Sequence, residues 1–223
     1  MIWSFIFFLS FTIASDFPVI GILSLPPDST LYDDKHDFIP YQYPAFLQFS
    51  GAQIVPIFLS NDENYLENIL SRVNGLLLPG GAANLVKDNE LTDYLKQIKQ
   101  ILKIARKFND NGDYFPIWGT CLGFEAILID IFGPEAMDSN LDDENFLHTL
   151  IPHGDFWKFL PHDVMEWIKK EPVLPYHHNR GFYESTVKKH NMHKKIDITG
   201  WSERNGKHFL ASFKDKKYPF YGV

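Results

Sequence analysis

The only cysteine of this 223-residue chain lies in the stretch Phe115-Pro116-Ile117-Trp118-Gly119-Thr120-Cys121-Leu122-Gly123-Phe124-Glu125. A short apolar run precedes the cysteine and a helix-like segment, Leu122–Phe132, follows it. Gly-x-Cys-x-Gly at a strand-to-helix turn is the thiol counterpart of the nucleophile elbow, in which glycines let neighbouring backbone approach closely. A thiol at a helix N-terminus is favoured as thiolate. The motif therefore predicts a cysteine nucleophile, against the alternative of a small buried hydrophobe.

Strands alternate with amphipathic helices on both sides of this motif. Such alternation predicts an α/β fold with a parallel sheet that is covered on both faces, and with sites at the carboxyl ends of the strands. The predicted strands cover residues 19–23, 53–59, 75–78 and 115–118. The predicted helices cover residues 41–50, 61–73, 91–108 and 122–132.

The second half of the chain is more irregular. Asn205-Gly206 is a strong hairpin signal between strands predicted over 196–201 and 208–213. Further strands are predicted over 146–151 and 218–223, a short helix over 161–170, and an acidic loop over 138–145. With no repeat or linker in between, the pattern favours one domain.

Composition narrows the classes of function. Hydrophobic residues make up 45% and charged residues 22%, which is typical of a folded domain. The net charge is -7 and the basic residues are scattered, so nucleic acid is not an expected partner.

The first residues predict a leader. Residues 1–15 resemble a secretory signal peptide, although a basic start is missing, and the alternative is a buried N-terminal strand. The apolar run is too short for a membrane anchor, so no membrane association is expected. The folded domain would then cover residues 16–223. A lone cysteine on the secretory route is a free reactive thiol or an intermolecular link.

Two backbone amides are candidate donors for an oxyanion. Leu122 N–H directly follows the cysteine, and Gly81 N–H belongs to the Pro79-Gly80-Gly81 turn at the end of an earlier strand. An ordinary turn at a strand end is the alternative for Gly81.

Three side chains are candidates for substrate binding. Glu125, one turn into the helix, is either a partner of the helix dipole or a recognition group for a substrate amine. Among nine histidines, His177 is the best placed for a role beside the nucleophile, because it follows an apolar run at a strand end. Arg180 nearby is suited to hold a carboxylate. No pair of histidines has metal-site spacing, so no metal is expected.

Together these segments resemble the gamma-glutamyl hydrolase family, within the class I glutamine amidotransferase-like superfamily. Ordinary glutamine amidotransferase domains usually carry Gln where Glu125 stands. The resemblance is carried by 18-Pro-Val-Ile-Gly-Ile-Leu-23, 74-Asn-Gly-Leu-Leu-Leu-Pro-Gly-Gly-81, 112-Gly-Asp-Tyr-Phe-Pro-Ile-Trp-Gly-Thr-Cys-Leu-Gly-Phe-Glu-125 and 217-Lys-Tyr-Pro-Phe-Tyr-Gly-Val-223.

The resemblance implies a three-layer, flavodoxin-like sandwich with a mostly parallel central sheet and an antiparallel C-terminal hairpin. It implies cleavage of gamma-glutamyl bonds in folate poly-gamma-glutamates, without metal or cofactor, by a secreted, lysosomal or vacuolar protein, and it allows a homodimer. By the same resemblance Cys121 is the nucleophile, Gly81 and Leu122 supply the oxyanion hole, and His177 helps to bind substrate.

One departure concerns the catalytic base. In the family, the strand that matches residues 218–223 runs into a Gln-x-His-Pro-Glu segment with the catalytic histidine and its glutamate, whereas this sequence stops at Val223. The expectation is a C-terminally incomplete domain of low activity, because a histidine base contributes about 10²–10⁴-fold. Two alternatives stay open: a glutamine amidotransferase, and a catalytically dead secreted binding protein of the same fold.

Overall fold

The structure, a computed structural model, describes residues 17–27, 35–60, 62–139, 141, 143–178 and 180–223. The side chains of residues 143–146 and 177–178 are not described. The leader predicted over residues 1–15 lies outside this part of the chain.

Six α-helices and twelve strands are defined among the described residues. The helices are α1 Gln42–Phe49, α2 Glu63–Leu70, α3 Asp93–Asp110, α4 Leu122–Phe132, α5 His162–Lys170 and α6 Glu184–Lys189. The strands are β1 Val19–Leu23, β2 Gln53–Ile57, β3 Gly75–Leu78, β4 Val86–Lys87, β5 Glu90–Leu91, β6 Ile117–Gly119, β7 Asp143–His148, β8 Ile151–Pro152, β9 Leu174–His178, β10 Ile196–Arg204, β11 Lys207–Asp215 and β12 Phe220–Gly222.

Eight of the strands form the central sheet, in the order β2-β1-β3-β6-β12-β11-β10-β8. The pairs from β2 to β12 are parallel, and those from β12 to β8 are antiparallel. The strand β12 therefore joins the parallel half, through β6, to the antiparallel hairpin β10–β11. This confirms the α/β fold with a mostly parallel sheet and an antiparallel C-terminal hairpin.

The helices lie on both sides of the sheet. Helix α3 packs against α2 and α4. Helix α4 also lies against β3, β6 and β12, and α1 packs against β1 and β2. The core strands read as continuous apolar runs because they are covered on both faces. In β3, for example, all four residues of Gly75–Leu78 are buried.

Several elements were predicted correctly from local sequence signals. The ranges predicted for β1, β3 and α4 are confirmed. The predicted hairpin turn has φ of 50° at Asn205 and 73° at Gly206, and a type I′ two-residue turn requires positive φ at both positions. The boundaries of the other predicted helices differ from the observed ones by up to three residues. Side-chain caps account for two of the helix starts: Asp62 accepts the N–H of Asn64, and Thr92 accepts that of Leu95.

Two predictions in the irregular half were wrong. An acidic loop was expected over 138–145, but residues 143–145 form the first half of β7. This strand pairs with β9 in a separate two-stranded sheet. The single strand expected over 146–151 is instead divided between β7 and β8, which belong to different sheets. Both segments form strands because they pair with strands that are distant in sequence, and local propensity does not predict such pairing.

Among the described residues, none of the helices is long and apolar enough to cross a membrane.

Candidate active site

Cys121 lies at the turn between β6 and α4, at the N-cap position of the helix. Its backbone has φ 52° and ψ −106°, a conformation that L-residues rarely adopt. Strain of this kind persists only where the surroundings enforce it, and it occurs mostly at functional sites. Cys121 as a residue is partly exposed, and its thiol forms no disulfide.

Two glycines make this turn sterically feasible. A Cβ on Gly123 would lie 2.3 Å from the carbonyl oxygen of Leu78, and a Cβ on Gly119 would lie 2.6 Å from the carbonyl carbon of Gly123. Since atoms of real side chains essentially never come so close, β3, β6 and α4 can meet here only without side chains.

Backbone hydrogen bonds from both neighbouring strands hold the turn. Thr120 N–H donates to the carbonyl of Leu78 in β3 at 3.0 Å. On the other side, Cys121 N–H donates to the carbonyl of Val223 at 2.8 Å, and Val223 N–H donates to the carbonyl of Gly119 at 3.0 Å. The elbow is therefore fixed between the carboxyl ends of β3 and β12.

The candidate oxyanion donors come from two adjacent strands. Gly81 follows β3, and Leu122 is the first residue of α4 after β6, which pairs in parallel with β3. Among the described residues, no acceptor takes the N–H of Gly81 or of Leu122. The structure thus brings the two predicted amides to the same edge of the sheet as the sulfur.

Gly80 packs directly against Cys121. A Cβ built on Gly80 would lie 2.9 Å from the Cβ of Cys121 and 3.5 Å from its sulfur. The same point is 2.6 Å from the hydroxyl oxygen of Tyr43. Only glycine at position 80 allows these groups to approach one another.

Tyr43 is a site residue that the sequence did not indicate. It lies in the first turn of α1, and its hydroxyl oxygen accepts a hydrogen bond from Gly80 N–H at 2.8 Å. Burial raises the pKa of Tyr43, as does negative charge at Cys121, while the hydrogen bond from Gly80 lowers it; the net shift is upward. No local pattern distinguishes Tyr43 from its neighbour Tyr41, because it is the packing of α1 against β1 and β2 that brings Tyr43 to Gly80.

The predicted substrate-binding side chains differ in what the structure shows of them. Glu125 is 8% exposed, and its N–H donates to the carbonyl of Cys121 at 3.0 Å, which places it in the first turn of α4. Arg180 lines a small cavity together with Val223, whose carbonyl accepts the N–H of Cys121. The backbone of His177 pairs with Glu144 between β9 and β7, and its side chain is outside the described part.

The segment that carries Arg180 is anchored by Asp138. The backbone of Asp138 pairs with Gly181 through two hydrogen bonds of 2.8 and 3.1 Å. Its carboxylate accepts the N–H of Tyr183 at 2.9 Å and the hydroxyl of Thr186 at 2.8 Å. This anchor gives Arg180 a defined place beside the end of β12.

Another histidine has a structural explanation. His148 is buried, its Nδ1 lies 2.9 Å from the carbonyl oxygen of Glu203, and its ring packs edge-on against Tyr176 and Phe209. Within the described part of the chain, no three side chains of the His, Cys, Asp or Glu type form a metal-binding group.

Comparisons with known proteins show the family to which the chain belongs. The model of the Peptidase C26 family matches residues 18–148. The chain is similar to gamma-glutamyl hydrolase B of Dictyostelium discoideum, with 28% identity over 216 residues, 92% of this chain and 61% of that protein. It is also similar to human gamma-glutamyl hydrolase, with 30% identity over 219 residues, 92% of this chain and 65% of the relative. The chain thus spans less than two thirds of the length of these relatives.

The fold is also found in a solved structure of more distant sequence. The structure of PurLQS from Thermotoga maritima superposes with a TM-score of 0.56 over 92% of this chain and 85% of the other, at 14% identity. At this identity the likeness shows the fold alone. The family is shown by the Peptidase C26 match, which covers more than half of the sequence, and the chain therefore belongs to the Peptidase C26 family.

Proposed function

We propose that the chain carries the nucleophile and oxyanion-binding part of an enzyme that hydrolyses gamma-glutamyl bonds. The observation that supports this most strongly is the strained elbow at Cys121. This partly exposed cysteine lies at the same sheet edge as the N–H groups of Gly81 and Leu122, which have no protein acceptor among the described residues. Relatives that carry the name gamma-glutamyl hydrolase align with 92% of the chain.

The proposed reaction proceeds through an acyl-enzyme. The thiolate of Cys121 forms a bond to the gamma-carbonyl carbon, and the carbonyl oxygen takes the negative charge against the amides of Gly81 and Leu122. Collapse of this intermediate breaks the C–N bond, and the leaving amine takes a proton. Water then attacks the thioester, which releases the gamma-carboxylate and restores the thiol.

The proton donor in this scheme is a histidine of the family's Gln-x-His-Pro-Glu segment. In the family that segment follows the strand that matches β12. The hydrogen bond from Cys121 N–H to Val223 places the carboxyl end of β12 directly at the nucleophile. A histidine reaching the sulfur from this direction would fit the usual geometry of a nucleophile and its base.

The proposed substrate is the gamma-glutamyl chain of folate poly-gamma-glutamates. Each glutamyl unit carries an α-carboxylate, for which Arg180 is suited as a planar, bidentate partner. Glu125 is proposed to recognise the α-nitrogen of a glutamyl unit, which is an amide N–H in this substrate, and His177 to bind the substrate in the cleft. The resemblance to the family supports the role of His177, and the position of Glu125 in the first turn of α4 supports that of Glu125.

Location and assembly follow the family in this proposal. Residues 1–15 would direct the protein into the secretory route, and residues 16–223 would belong to the hydrolase domain. The mature protein would then be secreted, lysosomal or vacuolar, and a homodimer is the proposed assembly.

The function is tested with protein made from the complete coding sequence. The wild type should hydrolyse a gamma-glutamyl oligomer, and Cys121→Ala should lose at least about 10³-fold in rate, because the nucleophile is absent. Equal rates for the two proteins would remove Cys121 from the mechanism. Release of ammonia from glutamine, with no hydrolysis of the oligomer, would instead indicate an amidotransferase. Tight binding of the oligomer without turnover would indicate a binding protein.

A further inference from the structure

The hydroxyl group of Tyr43 has an unused proton beside the nucleophile. A tyrosine hydroxyl donates one hydrogen bond and can also accept. Here the oxygen accepts from Gly80 N–H, so the proton is directed elsewhere. Among the described residues, no group accepts it. The hydroxyl of Tyr94 is not its acceptor, because that oxygen is buried and has no hydrogen-bond partner in the part of the chain that the structure describes.

The position of this hydroxyl fits a role at the reacting carbonyl. The oxygen of Tyr43 and the sulfur of Cys121 lie 2.6 and 3.5 Å from the same point beside the Cα of Gly80. An acyl carbon attached to the sulfur holds its oxygen only one bond further away. The amide of Gly80 cannot serve that oxygen, since its N–H is already directed at Tyr43.

The protonation state of Tyr43 also fits a donor. Burial raises its pKa, and negative charge at Cys121 raises it further, so the hydroxyl keeps its proton near neutral pH and while a thiolate is present. A phenol in this state donates a hydrogen bond and does not act as a base.

We propose that Tyr43 is a catalytic residue that donates a hydrogen bond from its hydroxyl to the oxygen of the acyl group on Cys121, as a third oxyanion donor beside Gly81 and Leu122. The proton stays on the phenol throughout, and the hydrogen bond strengthens as the oxygen gains charge. Gly80 N–H, by binding the same hydroxyl oxygen, fixes the direction in which the proton points. This inference rests on the proposed acyl-enzyme function.

The test compares Tyr43→Phe with the matched control Tyr65→Phe in the full-length protein. Tyr65 also accepts a backbone hydrogen bond, from Phe58 N–H at 3.1 Å, so both variants lose the same type of bond. In Tyr43→Phe, kcat for a gamma-glutamyl oligomer should fall roughly 10- to 100-fold with KM changed by less than about threefold, because the contact is made mainly in the transition state. Tyr65→Phe should keep the wild-type kcat.

Alkylation of Cys121 by iodoacetamide separates catalysis from structure. That reaction attacks a saturated carbon and develops no oxyanion, so its rate in Tyr43→Phe should stay within about twofold of the wild type. An unchanged kcat in Tyr43→Phe would overturn the inference. Equal losses of alkylation and turnover would overturn it as well, since Tyr43 would then only position the sulfur. Failure of the proposed function itself is seen separately, as wild-type turnover in Cys121→Ala.

A second measurement applies if Tyr43→Phe does not fold. Incorporation of 3,5-difluorotyrosine at position 43 keeps the shape of the side chain and lowers the pKa of the phenol. The loss of kcat at alkaline pH should then begin at lower pH, because ionisation removes the donor. The groups that titrate around this hydroxyl, Cys121 and Tyr94, are unchanged in that variant. An alkaline limb at the wild-type pH would overturn the inference.

Discussion

The strained backbone of Cys121 has a measurable cost at the scale of one residue. With φ 52° and ψ −106°, any L-residue at this position is held in an unfavourable conformation, at about 1–3 kcal/mol. Glycine does not suffer this strain, although its greater freedom in the unfolded chain offsets part of the gain.

We therefore expect Cys121→Gly to have a free energy of unfolding about 1 kcal/mol higher than Cys121→Ala. Both variants remove the sulfur, so the comparison isolates the backbone. Urea denaturation of the two proteins measures it, with Cys121→Ser as a control that keeps the strain. A Cys121→Ala protein as stable as Cys121→Gly would show that the elbow is not strained.

Because Tyr94 is buried, we expect the free energy of unfolding to fall at alkaline pH. Burial raises its pKa above the ordinary value, and its hydroxyl has no hydrogen-bond partner among the described residues. Below about pH 10 the phenol is neutral in both states and contributes nothing to the pH dependence. Above that pH it ionises in the unfolded chain first, so stability is lost as pH rises, by up to about 1.4 kcal/mol per pH unit.

In Tyr94→Phe this alkaline loss should be smaller than in the wild type. At neutral pH the variant should be as stable or up to about 1 kcal/mol more stable, because an unsatisfied buried hydroxyl is removed. Urea denaturation at pH 7 and at pH 10.5 tests both points. A variant destabilised by more than about 1 kcal/mol at pH 7 would indicate a hidden hydrogen bond of Tyr94.

At the scale of elements, the closeness of β3 and α4 depends on Gly123. A methyl group there would meet the backbone oxygen of Leu78 at 2.3 Å and its Cβ at 2.7 Å, and neither atom can move without shifting the strand. We expect Gly123→Ala to lower the free energy of unfolding by about 3 kcal/mol and to reduce turnover, since α4 would be displaced from the elbow.

The matched control for this substitution is Gly206→Ala in the hairpin turn. Gly206 has a φ of +73°, and no atom of the described residues lies within 4 Å of a Cβ built on it. Its substitution therefore meets only the backbone penalty, about 1 kcal/mol. Chemical denaturation and gamma-glutamyl hydrolysis of both variants test the difference. Similar losses of stability and unaltered turnover would contradict a steric role for Gly123.

Elements differ in how far the sequence alone predicts them. The elbow was predictable because strand, turn and helix are contiguous and the glycines around Cys121 have local steric meaning. The pairing of β7 with β9 was not, because its partners are separated in sequence and the acidic start of β7 has the composition of a loop. Tyr43 was missed for the same reason: its contact with Gly80 joins residues 37 positions apart.

At the scale of the whole molecule, the order of the strands assembles the site. The parallel pairing of β3, β6 and β12 brings Gly81, Cys121 and Val223 to one edge of the sheet. Alternation of strands and helices predicts that such an edge exists, and ligands of open α/β sheets bind at the carboxyl ends of the strands, so a site is expected there. The position of β12 between β6 and the hairpin was not predicted, because its parallel partner β6 is distant in sequence.

The covalent step is the centre of this account, and mass spectrometry observes it directly. Full-length protein is mixed with a gamma-glutamyl oligomer, quenched in acid during turnover and digested. The peptide that contains Cys121 should carry a gamma-glutamyl group that hydroxylamine removes, and the corresponding peptide of Cys121→Ala should carry none. Turnover of the oligomer by the wild type without any acyl group on Cys121, or undiminished turnover by Cys121→Ala, would contradict the account.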